Sequence, residues 1–398
     1  NITWGSHAEV INAAGLLSPH GANHVEMARM IKDAVNIPTM LCGGIYTPEI
    51  GEELLEQGVC DFVGIGKPAL ADPMWAKKAK EGRSKEISRC IACLYCIESM
   101  MHNALAGGLP GQCAVNPRTC NEIDYPLVPE KNGNGKQVVV IGAGPAGLMA
   151  AKVCAEKGFK VTVFEKADKV GGQVLLAAAP AQKKKIGWVT EDLETQCKLL
   201  GVEFCMNTEA TVENVKALKP YAIFNATGGT PITPKIPGYD LPNVYTPDQV
   251  LRGDVKFEGK KVAVIGSGMT GLETAEFLSD EGNDIIVVEM AEELAPGTWN
   301  QHKMDVIPKL EERGALLLPG WKLVEMRADS VEVEDVKVAG RMKNVPCDAI
   351  IMSLGVRPLG LDKDIMALAD LTYTVGDAES AGRIAKATHE AYKAAMAL

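Results

Sequence analysis

An α/β chain of parallel strands is predicted, on three observations. Glycine supplies 40 of the 398 residues and aromatics only 5%, as expected where strand-to-helix turns bring backbone close to ligands. Short apolar runs alternate with helix-length amphipathic stretches over short connections, beginning with IPTMLC at Ile37 to Cys42. A unit of strand, glycine turn, helix and strand also occurs twice, once from Val138 and again from Lys261.

Bulk properties narrow the function classes. The length allows two or three domains, each with its own core. Hydrophobic residues make up 46% and the formal net charge is -10, with no basic block; the run Lys183 to Lys185 reads as a solvated face, and no nucleic-acid partner is expected. Eleven cysteines without a signal peptide or long apolar span predict no membrane association and a reducing cytoplasm, where grouped thiols hold metals. Cys154, Cys197 and Cys347 lie in apolar patterns and read as core residues. The chain opens on Asn1 without Met, so a fragment or an incompletely defined start is expected.

The first piece, 1–85, carries two helix and strand units. Ala22 to Asn36 has helical apolar spacing and leads into the buried strand Ile37 to Cys42, which ends at Gly43 and Gly44. Thr47 is an N-cap with Pro48 at the first helical position, and the helix runs to about Gln57. The strand Asp61 to Gly66 follows, then Lys67. Glycines at both strand ends and one cation could hold a phosphate, the placing expected for the last strands of a TIM barrel; the alternative is that they only make turns. A whole barrel needs eight strands and about 250 residues, so this is the C-terminal part of one.

A cysteine segment, 86–131, separates this piece from the rest. Cys90, Cys93 and Cys96 are two residues apart in turn, so a tight loop can aim three thiolates at one centre, with Cys113 as the fourth. Four thiolates suit zinc or an iron-sulfur cluster. Asn116, Pro117 and Arg118 predict a turn that carries Cys120 away.

The remaining chain reads as two Rossmann-like units. Val138 to Ile141 runs into Gly142, Gly144 and Gly147, a helix, and the strand Lys160 to Phe164 ending at Glu165. Such glycines make the tight turn, admit a pyrophosphate and pack helix on strand, while the acid can bind a ribose hydroxyl. Gly266, Gly268, Gly271 and Glu289 repeat the pattern, so two dinucleotides are expected. Glu289 would repel a 2'-phosphate and no arginine follows it, which favours NADH over NADPH. Cysteines of this module are isolated, which argues against a disulfide reductase.

Three resemblances rest on these residues. TPEIGEELLEQGVCDFVGIGKPALADP resembles the end of the flavin barrel in Old Yellow Enzyme-like reductases. The order of barrel, cysteines and reductase module resembles their multidomain branch, which includes 2,4-dienoyl-CoA reductase, enoate reductases and trimethylamine dehydrogenase. The module itself resembles the FAD/NAD(P) architecture of the thioredoxin and glutathione reductase class, with GGQ (Gly171, Gly172, Gln173), ATGG (including Gly228) and Gly376-Asp377 where that class contacts FAD or closes the domain. The resemblance implies FMN at Gly43, Gly44, Gly66 and Lys67, where many members carry Arg, and a 4Fe-4S cluster as the iron-sulfur linker on Cys90, Cys93, Cys96 and Cys113. It implies a catalytic role for His7 in TWGSHAE, although Trp4 comes earlier and Ala8 separates His7 from Glu9. The expected division is 132–255 for the first part of an FAD-binding domain, 256–350 for an NAD-binding domain and 351–398 for the FAD domain's return segment.

The function implied is a reductase in which NADH passes a hydride to FAD, and single electrons cross the cluster to FMN, which reduces an activated C=C bond of an enoate or enoyl-CoA type. One alternative runs outward, from amine oxidation at FMN to a partner flavoprotein; another is an electron-transfer module feeding a barrel on a second chain. The partner expected is a small-molecule substrate, with an electron-transfer partner and homo-oligomer formation left open.

Overall fold

The computed structural model describes residues 24–105 and 110–398. Contacts divide the chain into two units, Asn1–Gly229 with Pro358–Leu398, and Thr230–Arg357.

In the first unit, helix Val25–Ala34, strand Met40–Cys42, helix Pro48–Glu56 and strand Phe62–Gly64 follow one another. The two strands pair in parallel, Met40 opposite Phe62 and Cys42 opposite Gly64. Thr47 caps its helix by accepting from the Ile50 N–H at 3.5 Å, with Pro48 inside the first turn; such caps contribute about 1 kcal/mol. Leu41, Ile45, Leu54 and Val59 are buried together between helices and strands. This is the βα repeat of a barrel's C-terminal part, as the sequence predicts.

The flavin-type sheet of the same unit has five parallel strands in the order Leu371–Thr374, Ala222–Asn225, Gln137–Ile141, Lys160–Phe164, Glu203–Cys205. Val138 to Ile141 are buried without interruption, the mark of a strand covered on both faces. Helices Pro145–Glu156, Trp188–Leu199 and Ile384–Ala397 pack together on one face. Val139, Ile141, Val215, Ile223 and Ile365 fill the other. The chain's last strand and helix thus complete a sheet whose first strand lies more than two hundred residues earlier.

The second unit repeats the plan. Its sheet runs Leu316–Pro319, Asp284–Glu289, Lys261–Ile265, Ala349–Met352, Val244–Tyr245, all parallel. A three-stranded antiparallel sheet, Trp321–Met326, Ser330–Asp335 and Met342–Pro346, covers one face through Leu323, Val331, Val333 and Val345. The unit extends beyond 256–350 at both ends. Val244 and Tyr245 pair with Ile350 and Ile351, and Ala349–Met352 lies beside Lys261–Ile265, so these segments share the second core.

Among the described residues no helix is long and apolar enough to cross a membrane.

Candidate cofactor sites

Backbone geometry explains the first glycine turn. Gly142 has φ +103°, and a Cβ there would strike the Ala226 carbonyl. A Cβ on Gly147 would strike the Gly142 carbonyl, so helix Pro145–Glu156 can sit this close only with glycine. Around Gly144 there is open space, as a pyrophosphate approaching the helix N-terminus requires. Glu165 ends the next strand and accepts from the Ala143 N–H at 2.7 Å and the Ala167 N–H at 2.9 Å, which ties the strand end to the turn. Each carboxylate oxygen retains a lone pair for a ribose hydroxyl.

Distant residues gather at this turn. The Gly171 N–H donates to the Ala143 carbonyl at 2.9 Å, and a Cβ on Gly172 would lie 3.3 Å from Gly144. Gln173 Nε2 donates to Asp377 at 3.2 Å, and a Cβ on Gly376 would lie 2.9 Å from the Ala146 Cβ. Asp377 also accepts from the Gly382 N–H at 2.9 Å. Burial raises its carboxyl above the ordinary value, and these bonds oppose the shift. Gly228 accepts from the Leu359 N–H at 2.9 Å, and Thr227 Oγ1 donates to the Leu359 carbonyl at 2.9 Å. The fold therefore brings Gly142, Gly144, Gly147, Glu165, Gly172, Gln173, Gly376 and Asp377 to one helix start, with Gly228 on the neighbouring strand end.

In the second unit Gly266 backs onto the Ser353 carbonyl, Gly271 onto the Gly266 carbonyl, and Gly268 faces open space. Glu289 accepts from the Ser267 N–H at 2.8 Å, from Ser267 Oγ at 2.7 Å and from the Ala291 N–H at 2.8 Å. Ser267 Oγ in turn accepts from the Ala295 N–H at 2.9 Å. Ser267 is a residue the fingerprint leaves unspecified; its position inside the glycine run was the available signal.

In the barrel piece Gly43 and Gly44 both adopt positive φ, and they follow a strand paired with the one that leads to Gly66. All three thus lie at the C-terminal edge, where such folds take phosphate. Lys67 follows Gly66 in the chain, but its side chain lines the cysteine cavity. His7 lies outside the described residues.

Cys90, Cys93, Cys96 and Cys113 line one cavity, walled by Leu70, Ile91, Leu94, Ala114 and Val115, with Lys67 as its cation. Ala92 and Leu94 are fully buried and take left-handed φ of 54° and 59°, a strained alternation that curls the loop around its thiols. Each sulfur meets a backbone N–H: Ala92 at Cys90, Tyr95 at Cys93, Ile97 at Cys96, and Val115 and Asn116 at Cys113. Burial nevertheless pushes the thiols up, Cys90 to about 11 and Cys113 to about 12, with Cys93 and Cys96 also raised. Thiolates here call for a positive centre to pair with. Among the described residues no three His, Cys, Asp or Glu side chains form a group that could grip one metal ion, and the four cysteines line a common cavity. Cys120 is exposed and outside this cavity.

The flavin-type domain holds the cysteine segment from two sides, through residues the sequence did not mark. Asp192 accepts from the N–H and Nε of Arg89, and Gln196 Nε2 donates to Ser88 Oγ at 2.9 Å. Arg383 grips Glu98 with two bonds, at 2.6 and 3.0 Å, and lies over the Tyr95 ring. His389 Nε2 lies 2.8 Å from the Cys113 carbonyl, and Thr388 Oγ1 donates to the Ala114 carbonyl at 2.7 Å. The expected solvated face at Lys183 to Lys185 is corrected at its last member. Lys185 is 6% exposed, because its ammonium turns inward over the buried Tyr46 ring.

The pyridine nucleotide-disulphide oxidoreductase family matches residues 136–370. NADH oxidase of Thermoanaerobacter brockii is 34% identical over 93% of this chain and 57% of its own length. Bilirubin reductase of Mediterraneibacter gnavus is 35% identical over 93% of this chain and 56% of its own. A solved 2-naphthoyl-CoA reductase in complex with 2-naphthoyl-CoA has a TM-score of 0.87 at 27% identity, covering 95% of this chain and 57% of that one. The chain thus spans little more than half the length of these relatives.

Proposed function

Since this chain belongs to the pyridine nucleotide-disulphide oxidoreductase family, we propose that it forms the greater part of an NADH-driven flavoprotein reductase acting on an activated C=C bond in a small molecule. FAD is assigned to Gly142, Gly144, Gly147, Glu165, Gly172, Gln173, Gly228, Gly376 and Asp377. NADH is assigned to Gly266, Gly268, Gly271 and Glu289, whose carboxylate disfavours a 2'-phosphate. FMN is assigned to the edge at Gly43, Gly44 and Gly66, with Lys67 near its phosphate, and His7 to catalysis there. Relatives named for bilirubin and 2-naphthoyl-CoA, both unsaturated, support the substrate class.

One observation carries this reading: the four-cysteine cavity is built into the flavin unit itself, through Arg89 with Asp192 and Cys113 with His389. A 4Fe-4S cluster suits four thiols around an apolar cavity with an N–H at each sulfur, whereas zinc has no redox chemistry. When bound, such a cluster would supply one-electron transfer between two flavins. Arg383, Glu98, Tyr95 and His389 fix the loops that hold it.

Cofactor analysis of the full-length protein, purified without oxygen and then given NADH, tests the reading. FAD, FMN and about four irons per chain, all reduced by NADH, are expected. Zinc in place of iron, or flavin that NADH fails to bleach, overturns it. The resemblance to trimethylamine dehydrogenase leaves one second reading, amine oxidation at FMN with electrons leaving to a partner flavoprotein, against which the intact second glycine turn counts. Bleaching by an amine and not by NADH would select it.

A further inference from the structure

We infer that Arg383 is a positioning residue that couples the two proposed cofactor sites of the first unit, so that FAD at Gly376 and Asp377 and the cluster on the four cysteines each tighten the protein's hold on the other. The inference rests on the flavin and cluster readings above.

One stretch of chain, 376–390, reaches both sites. On the flavin side, Asp377 accepts from Gln173 Nε2 at 3.2 Å and from the Gly382 N–H at 2.9 Å, and the Gly376 N–H donates to Glu390 at 3.0 Å. On the cysteine side, Arg383 follows Gly382 at the N-cap of helix Ile384–Ala397, and its Nη1 and Nη2 donate to the two Glu98 oxygens at 2.6 and 3.0 Å. Glu98 stands on helix Tyr95–Leu105, which carries Cys96. Glu98 is 8% exposed, so losing the guanidinium would leave a buried carboxylate without its counter-charge. The same guanidinium lies 5.4 Å from the centre of the Tyr95 ring, and that ring meets His389 edge-on at 6.2 Å. Thr388 and His389 in turn meet the carbonyls of Ala114 and Cys113.

A group bound against Gly376 and Asp377 fixes the loop that leads into Arg383, and a fixed Arg383 restricts where Glu98, and with it Cys96, can sit. The second cysteine segment, at Cys113, is held a turn further along the same helix. Whichever cofactor binds first therefore orders 376–390, and the second binds without that entropic cost. Linkage makes the effect reciprocal: the factor by which the cluster tightens FAD is the factor by which FAD tightens the cluster. A merely structural Arg383 differs in one respect. Its loss would weaken both sites and leave their dependence on each other unchanged.

The test is an FAD titration of the full-length protein stripped of flavin, made once with its iron in place and once after a chelator has removed the iron without oxygen. In wild type, iron is expected to lower the FAD dissociation constant about 5-fold or more. Arg383→Gln should bring this ratio close to one, and Glu98→Gln, away from every residue assigned to FAD, should also reduce it. Arg383→Lys, which keeps the charge and loses the fork, should fall between. A wild-type ratio of one overturns the inference, and so does a wild-type ratio preserved in Arg383→Gln. Should Arg383→Gln or the iron-free protein fail to fold, the rate of iron release to the chelator from wild type and Glu98→Gln, each with and without FAD, decides the outcome. Release that FAD slows more in wild type than in the variant supports the coupling, and equal slowing overturns it. Wild-type protein without iron, or without affinity for FAD, removes the reading beneath the inference, and the inference with it.

Discussion

Two hydrogen bonds and an ion pair join Arg89 to Asp192: the Arg89 N–H donates to one carboxylate oxygen at 2.7 Å, its Nε donates to the other at 2.8 Å, and its Nη2 lies 2.7 Å from that second oxygen. The pair joins the residue before Cys90 to the helix Trp188–Leu199, so a flavin-domain carboxylate sets where the cysteine loop begins. Asp192→Ala leaves a backbone N–H and a half-buried guanidinium without this acceptor. The expected cost is roughly 1.5–3 kcal/mol, read as a lower urea midpoint, together with a fall in iron per chain. Glu191 binds the same arginine from an exposed position, and Glu191→Ala should cost less than about 1 kcal/mol. Equal effects from both variants would mean that the guanidinium, and not the loop's backbone, is what the clasp secures.

The proposed cluster predicts different roles for Cys113 and Cys120. Cys113 is buried in the cavity wall, with the Val115 and Asn116 N–H groups aimed at its sulfur. Cys120, seven residues on, is exposed and holds a left-handed backbone, with φ 61°. Cys113→Ser should lose most of the iron and labile sulfide, because a serine oxygen is a harder, poorer ligand for a cluster. Cys120→Ser should retain the wild-type amount. Elemental and sulfide analysis of the two variants side by side makes the comparison, and iron loss from Cys120→Ser would move the fourth ligand.

What the sequence made legible was local. Gly142, Gly147, Gly266 and Gly271 could be read because each solves a steric problem within a few residues of itself, and a Cβ at any of them meets backbone. The cysteine cavity was legible for the same reason, three of its thiols lying within one loop. Residues 89 and 192, or 113 and 389, are joined only after the sheet has folded, and no period or motif links them beforehand. Three adjacent lysines look solvated in sequence, but the short helical turn Ala181–Gly187 directs successive side chains to different sides, and Lys185 is buried. The strand Val244–Tyr245 is too short to announce itself, so the extent of the second unit emerged only from its pairing with Ile350 and Ile351.

The duplicated turns allow the two proposed dinucleotide sites to be impaired one at a time. In Gly147→Ala the new methyl would strike the Gly142 carbonyl, and in Gly271→Ala the Gly266 carbonyl. Each overpacks one turn, at a cost of about 1–3 kcal/mol, and leaves the other unit's turn untouched. Gly147→Ala should purify with less FAD. Gly271→Ala should keep its FAD spectrum but need much more NADH to bleach it. Absorbance spectra followed by an NADH titration check both, and FAD loss from Gly271→Ala would contradict the assignment of the second turn to the nicotinamide nucleotide.

Asp377, assigned above to the proposed flavin site, gives the stability of the fold a pH dependence. Burial is the main cause that raises its carboxyl above the ordinary 3.8, while the Gly382 N–H, Lys386 and Gln173 pull the other way. Between 3.8 and the raised folded value, the folded chain holds this proton and the unfolded chain has released it. The stability that the proton confers is therefore complete below 3.8 and is lost as pH rises through the folded value. Asp377→Asn removes the titration and keeps an oxygen that can accept from the Gly382 N–H. Urea unfolding of the flavin-free protein, from about pH 4 to about pH 7, should show wild type losing stability relative to this variant as pH rises. The same variant should retain less FAD, since the uncharged amide can no longer hold Gln173 and a flavin hydroxyl with one carboxylate. Parallel stability curves for the two proteins would show that Asp377 ionises as freely in the fold as outside it, and would leave the flavin as the only ligand of that side chain worth testing.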